Sequence, residues 1–120
     1  MRKTLILALL ACLPNLAAAD VVYYFDLVNT AASNVVAFDV ALAGSDRFHS
    51  VLPGGAPIHG GGESATVGIR KGQDGCLRDL RIAFADGRVL MHRDFNICRG
   101  VRYYTGINLR REILAAKVDH

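Results

Sequence analysis

Four histidines, His49, His59, His92 and His120, and the methionine Met91 beside His92 are the side chains here with metal-ligating chemistry. Thioether and imidazole together suit Cu(I), and imidazole suits zinc. A copper- or zinc-handling site would therefore draw on His49, His59, Met91 and His92. Against it, no two histidines stand at i, i+2 or i+4 and no His-Met repeat occurs, so ordinary ligand spacing is missing. Ser45, Ser50 and Ser64 each have an acidic or histidine neighbour, which would suit a small hydrolase. None lies in G-x-S-x-G or S-x-x-K, the usual contexts of a serine nucleophile. The carboxylates have a plainer account: Asp86 makes a turn, and Asp79 and Asp94 pair with Arg78, Arg81 or Arg93 on a solvated sheet face. No catalytic residue is assigned on this basis, and no cofactor.

Two other groupings suit recognition better than catalysis. Pro53 to Gly62 (PGGAPIHGGG) lacks G-x-x-x-x-G-K-[ST] and opens no helical pattern, so it reads as a flexible surface loop, not a phosphate cradle. Loops of this kind carry binding, here at His59, Gly60 and Gly61. Arg102, Tyr103 and Tyr104 follow, residue types enriched in interface hot spots. Arg78, Arg81, Arg88, Arg93, Arg99 and Arg102 concentrate in the same stretch, and interleaved Asp residues neutralise much of that charge. The expected partner is another cell-envelope molecule, a protein.

The start of the chain bears on the compartment. Arg2 and Lys3 precede the apolar run Leu5–Leu13, Pro14 and Asn15 break it, and Ala17-Ala18-Ala19 forms an A-x-A site before Asp20. That is the layout of a secretory signal peptide, cleaved after Ala19, and it predicts a periplasmic or secreted protein. A second reading takes Leu9-Leu10-Ala11-Cys12 as a lipobox that lipidates Cys12. No other segment is long and apolar enough to span a bilayer. Without the leader, Cys76 and Cys98 form an even pair in a compartment that permits disulfides, and no C-x-x-C suggests a redox role.

Composition narrows the classes further. Of 120 residues, 52% are hydrophobic and 21% charged, which excludes a disordered chain. The formal charge is +3, but Arg2 and Lys3 belong to the leader. Twelve basic residues then face eleven acidic ones, a net of +1 that argues against nucleic-acid binding.

The elements that must position these residues are short strands. Val21–Val28 is β-branched and aromatic; Val35–Leu42 alternates, with Val36, Phe38, Val40 and Leu42 expected on one face. Phe48–Leu52 reads as an edge strand, Ser64–Ile69 as a strand, Lys71–Gly75 as a turn and Val101–Tyr104 as a last strand. Cys76, Arg78, Leu80, Ile82 and Phe84 share a face, and Asp86-Gly87 supplies a hairpin turn with positive φ at both residues. That register sets Phe84 against Val89 and Ile82 against Met91. Cys76 then faces Ile97, and a one-residue bulge in the second strand brings it to Cys98. Asn108–Lys117 reads either as a short helix capped by Asn108 or as a frayed tail.

The order Cys76-Leu77-Arg78-Asp79-Leu80-Arg81, Phe84-Ala85-Asp86-Gly87 and Asn96-Ile97-Cys98 resembles the C-x-x-D-[LI]-R … F-x-D-G … N-[LIV]-C hairpin of a group of small, uncharacterised exported proteins of Gram-negative bacteria. The resemblance implies a disulfide-stapled β-sandwich in the periplasm and transfers no catalytic residue. Both lines of reading predict a signal peptide over 1–19. Residues 20–120 then form one small antiparallel β-sandwich of immunoglobulin-like type, with six or seven strands and one disulfide. A small barrel is the alternative.

Overall fold

The computed structural model describes residues 21–100 and 102–118; the leader, and with it Cys12 and the cleavage site, lies outside the described residues, as does His120. Seven strands and one helix follow in order: β1 (Val22–Asn29), β2 (Val35–Leu42), β3 (His49–Ser50), β4 (Glu63–Arg70), β5 (Leu77–Phe84), β6 (Val89–Asn96), β7 (Arg102–Tyr104) and α1 (Thr105–Val118). They build two sheets, β4-β1-β7 and β3-β2-β5-β6. The antiparallel pairs β1/β4 and β2/β5 correspond to the neighbouring B/E and C/F strands of an immunoglobulin-type sandwich. The departure from that type is β7, which runs parallel to β1.

Alternation along the strands explains the core. Phe25 and Leu27 of β1, Val67 and Ile69 of β4, and Tyr103 of β7 point inward from one sheet. Phe38 and Val40 of β2, Leu80, Ile82 and Phe84 of β5, and Leu90 of β6 meet them from the other. Asn29 ends β1 inside this core and is fully satisfied there. Its amide donates to the carbonyls of Ser33 and Ile58, and its carbonyl accepts from Ala31 N–H and the Thr105 hydroxyl.

Three expectations need correction, each for a local reason. Val36 is exposed, because the β2/β5 register breaks between Val35 and Ala37 and the bulge turns Val35 into the core instead. Leu42, at the strand end, is also exposed. The hairpin turn is longer than a two-residue type I′ turn. Gly87 N–H donates to Phe84 C=O at 3.0 Å, Phe84 N–H donates to Arg88 C=O at 2.9 Å, and of the Asp-Gly pair only Gly87 takes positive φ, at 93°. The extra loop residue slips the register by one, so Ala83 faces Val89 and Ile82 faces Leu90.

The bulge anticipated in the second strand is present, opposite Asp79 at Arg93–Asp94, and it undoes that slip. Beyond it Ile97 N–H donates to Cys76 C=O, and Cys76 and Cys98 form the disulfide with Cα atoms 5.5 Å apart. The C-terminal segment is a helix that starts at Thr105, before Asn108. Asn108 therefore lies in its first turn, with its amide donating to Tyr104 C=O.

Candidate binding surfaces

The two sheets leave the sandwich with two long sides, and each holds a cleft. On the side of β3 and β4, a cleft of about 660 Å³ opens between the sheet edges. Arg47, His49, Arg70, Lys71 and Arg78 line it with one carboxylate, Asp74. Arg78 forms its floor. It points inward from β5, is 3% exposed, and meets no carboxylate. Its guanidinium instead donates to four carbonyls, those of Gly75, Leu77, Arg70 and Lys71, at 2.9 to 3.3 Å. Those bonds satisfy a buried cation and close the end of the β4–β5 turn. Arg78 shares its face with Leu80, Ile82 and Phe84 as its spacing predicts, and that face is buried, so the expected pairing with an aspartate on a solvated face does not occur.

On the opposite side α1 covers the gap between β6 and β7, leaving a cleft of about 290 Å³ beside His92, Asn108, Arg111 and Glu112. Beneath it His92, Phe95, Phe25 and Tyr103 pack edge to face or tilted, with ring centroids 5.3 to 5.7 Å apart. His92 Nδ1 lies 2.9 Å from the Tyr103 hydroxyl. Burial, followed by the field of Arg111, depresses the His92 pKa against the opposing influence of the Asn108 side chain. Burial raises that of Tyr103. A neutral ring and a neutral phenol are thereby favoured together.

Asp79 is fully buried in the β6 bulge and accepts from three donors: Gly44 N–H at 2.9 Å, Asp94 N–H at 3.0 Å and Arg93 at 2.9 Å. Burial alone would raise its pKa, but these donors outweigh burial and hold it below the usual carboxylate value. The expected pairing with Arg93 is present, but the site is interior and not a solvated face. Asp94, at φ 59°, takes the left-handed conformation that the bulge requires. Arg81 pairs with Asp39 and Arg88 with Asp86, so these arginines form no free basic stripe.

The proposed partner residues separate into two groups. Tyr103 is 3% exposed and belongs to the core, because alternation along β7 turns it inward while Arg102 and Tyr104 face out. The Tyr104 hydroxyl, and then the charge of Asp26, raise the Arg102 pKa. The outer face they share also carries Tyr24, 65% exposed, whose ring lies so close over Gly68 that a Cβ at Gly68 would collide with it. His59 is exposed, and its ring and N–H both bond Glu63. Gly60 and Gly61 are anchored, contrary to a flexible loop. Gly60 is pressed on the backbone of Ala31–Ala32, Gly61 N–H donates to Ala31 C=O, and Ile58 exchanges two hydrogen bonds with Val35.

The chain matches no family model, no curated protein and no solved structure. Function must then be argued from the geometry alone. The residues weighed as metal ligands do not converge. His49 lines the β3/β4 cleft, Met91 and His92 both border the smaller cleft beside α1, and His59 bonds Glu63 at the start of β4, so the three histidines stand apart. Among the described residues no three His, Cys, Asp or Glu side chains gather. Nor, among them, does any serine hydroxyl bond a histidine; Ser45 accepts from Arg47 N–H and Ser33 from Asp86 N–H. The basic cleft went unread in the sequence because its lining comes from three separate stretches, 42–51, 68–74 and Arg78. No described helix is long and apolar enough to cross a membrane.

Proposed function

We propose that the chain is a non-catalytic binding module of an oxidising compartment. In this reading it is exported to the periplasm or beyond after cleavage following Ala19, and it engages another envelope protein. The observation that carries this reading is the outer face of the β4-β1-β7 sheet. Tyr24 is 65% exposed there, and Tyr104 is 39% exposed beside Arg102. Tyrosine and arginine dominate interface energetics. The loop at His59 borders the same sheet next to β4, while Tyr104 stands at its other edge on β7. The Cys76–Cys98 disulfide suits an oxidising compartment. The hairpin motif's resemblance to exported proteins of Gram-negative bacteria supports the same placement.

The test is site-specific photo-crosslinking in cells that express the full chain. A photoreactive phenylalanine analogue would replace Tyr24, Tyr104 or, as the control, Val89, which is 52% exposed on the other sheet. We expect one discrete adduct from Tyr24 and Tyr104 and none from Val89. Adducts of equal yield from all three positions, or from none, would reject this surface. Intact mass of the same samples reports cleavage after Ala19.

A further inference from the structure

The β3/β4 side of the molecule combines two features that the binding-module reading leaves unused. The first is an open strand edge. Lys71 N–H donates to Val21 C=O, and antiparallel pairing alternates, so Ile69, Val67 and Ala65 direct their backbone groups at β1. The N–H and C=O groups of Ser64, Thr66 and Gly68 then point away from it, and all three residues are exposed. The single-turn 3₁₀ helix Pro53–Gly55 touches β4, but its hydrogen bonds stay within its own loop. The other sheet edges are blunted. β3 has two residues and β7 three, and β6 is bulged at Arg93–Asp94 and packed by α1. β4 keeps eight residues in unbroken register.

The second feature is charge. Among the described residues, Arg47, Lys71 and Arg78 line the cleft that β4 borders together with the carboxylate Asp74, and His49 lies across it on β3. Such an excess in a concave site draws anions. A strand laid along β4 would send alternate side chains to opposite sides. One set enters the cleft near Arg47, His49 and Lys71. The other lies level with Gly68 and the exposed ring of Tyr24.

We propose that this side binds an acidic peptide in extended form, which adds as a strand along β4 and turns its carboxylates into the cleft. This rests on the binding-module reading and names the partner's chemistry: alternating acidic and apolar residues. Main-chain hydrogen bonds would hold the strand and the cleft would select its charge, the ordinary division of labour in β-augmentation.

The experiment titrates the full chain with a ten-residue peptide of alternating Glu and Val, read by calorimetry. Three other ligands accompany it: the same residues in two blocks, the alternating peptide N-methylated at every second amide, and inorganic polyphosphate of equal charge. We expect saturable 1:1 binding of the alternating peptide and at least tenfold weaker binding of the other three. Arg47→Glu with Lys71→Glu should also weaken it at least tenfold. N-methylation acts on the ligand, so that comparison holds even if a protein variant folds poorly. No binding overturns the proposal. Equal binding of polyphosphate, or indifference to N-methylation, overturns it in favour of a simple anion site. Tyr24 adducts without peptide binding would sink this inference and leave the binding-module reading standing. Peptide binding without those adducts would keep this inference and reject only the Tyr24–Tyr104 face as the contact surface.

Discussion

The two sides of the sandwich solve the same problem in opposite ways. Where two sheets stack, each side leaves strand edges and a gap between layers. On the β6/β7 side, a bulge twists β6, α1 lies across the opening, and aromatic rings fill the space beneath it. On the β3/β4 side no α-helix of the described residues lies across the gap; one buried arginine seals the end and the rest stays open and cationic. One side is built from contacts that stabilise the fold. The other spends little surface on its own stability and leaves charge and backbone exposed. Substitutions should therefore act on different observables on the two sides.

The largest effect is expected at the bulge. Asp79→Ala removes the acceptor for Gly44, Asp94 and Arg93 together, and should lower unfolding free energy by about 3–5 kcal/mol. Urea unfolding checks this, with Asp79→Asn expected to lose less because one acceptor survives. Because the Asp79 pKa is lower folded than unfolded, its stabilisation is complete above the ordinary carboxylate value of 3.8 and disappears as pH falls through the lowered value. The wild-type chain should then lose more stability than Asp79→Ala between pH 5 and pH 2.

Next comes the staple of the same hairpin. Cys76→Ser with Cys98→Ser opens a loop of 21 intervening residues and should cost about 3 kcal/mol. An unchanged thermal midpoint would show that the hairpin needs no staple.

A smaller change should follow at the aromatic cluster. Tyr103→Phe keeps the ring packing and deletes the bond to His92, for about 1 kcal/mol. The His92 pKa is depressed in the fold, so its neutral ring stabilises the chain fully above 6.5. That contribution is lost as pH falls from 6.5 toward the folded value. Unfolding midpoints should drop across this interval in the wild type and change less in His92→Gln.

The smallest stability effect belongs to the open side. Arg47→Glu and Lys71→Glu should each shift unfolding free energy by no more than about 0.5 kcal/mol, while together weakening binding of the acidic peptide at least tenfold. A loss of several kcal/mol from either would erase the contrast between the two sides.

Much of the fold could be read from periodicity. Strand β2, the hairpin and the disulfide follow from alternation, an Asp-Gly pair and two cysteines at matching distance. What could not be read depended on departures from period two. A single extra residue at Val36 reverses which valine is buried, and no local signal marks it. The three-residue loop at Ala85–Gly87 and the bulge at Arg93–Asp94 each shift register by one, and their cancellation is visible only once both strands are placed. Tyr103 was legible as a strand residue but not as a core residue, because its facing depends on β7 pairing with β1, far away in the chain. Arg78 was placed on the correct face, yet its four carbonyl partners come from the fold of residues 70–77.

The parallel pairing of β7 with β1 has a consequence in time. β1 is among the first segments of the described chain to be made or threaded, and β7 among the last, so Leu27 waits for Tyr103 across 76 residues. Until the final segment arrives, one flank of β1 lacks its neighbour and the aromatic cluster lacks its lid. Contacts so distant along the chain carry a high loop-closure cost and close late. The hairpin and the β1–β4 pair can form from partial chains, but the sandwich cannot shut. A protein of this layout closes its sandwich only after β7 has been made, which makes that strand the clasp of the fold.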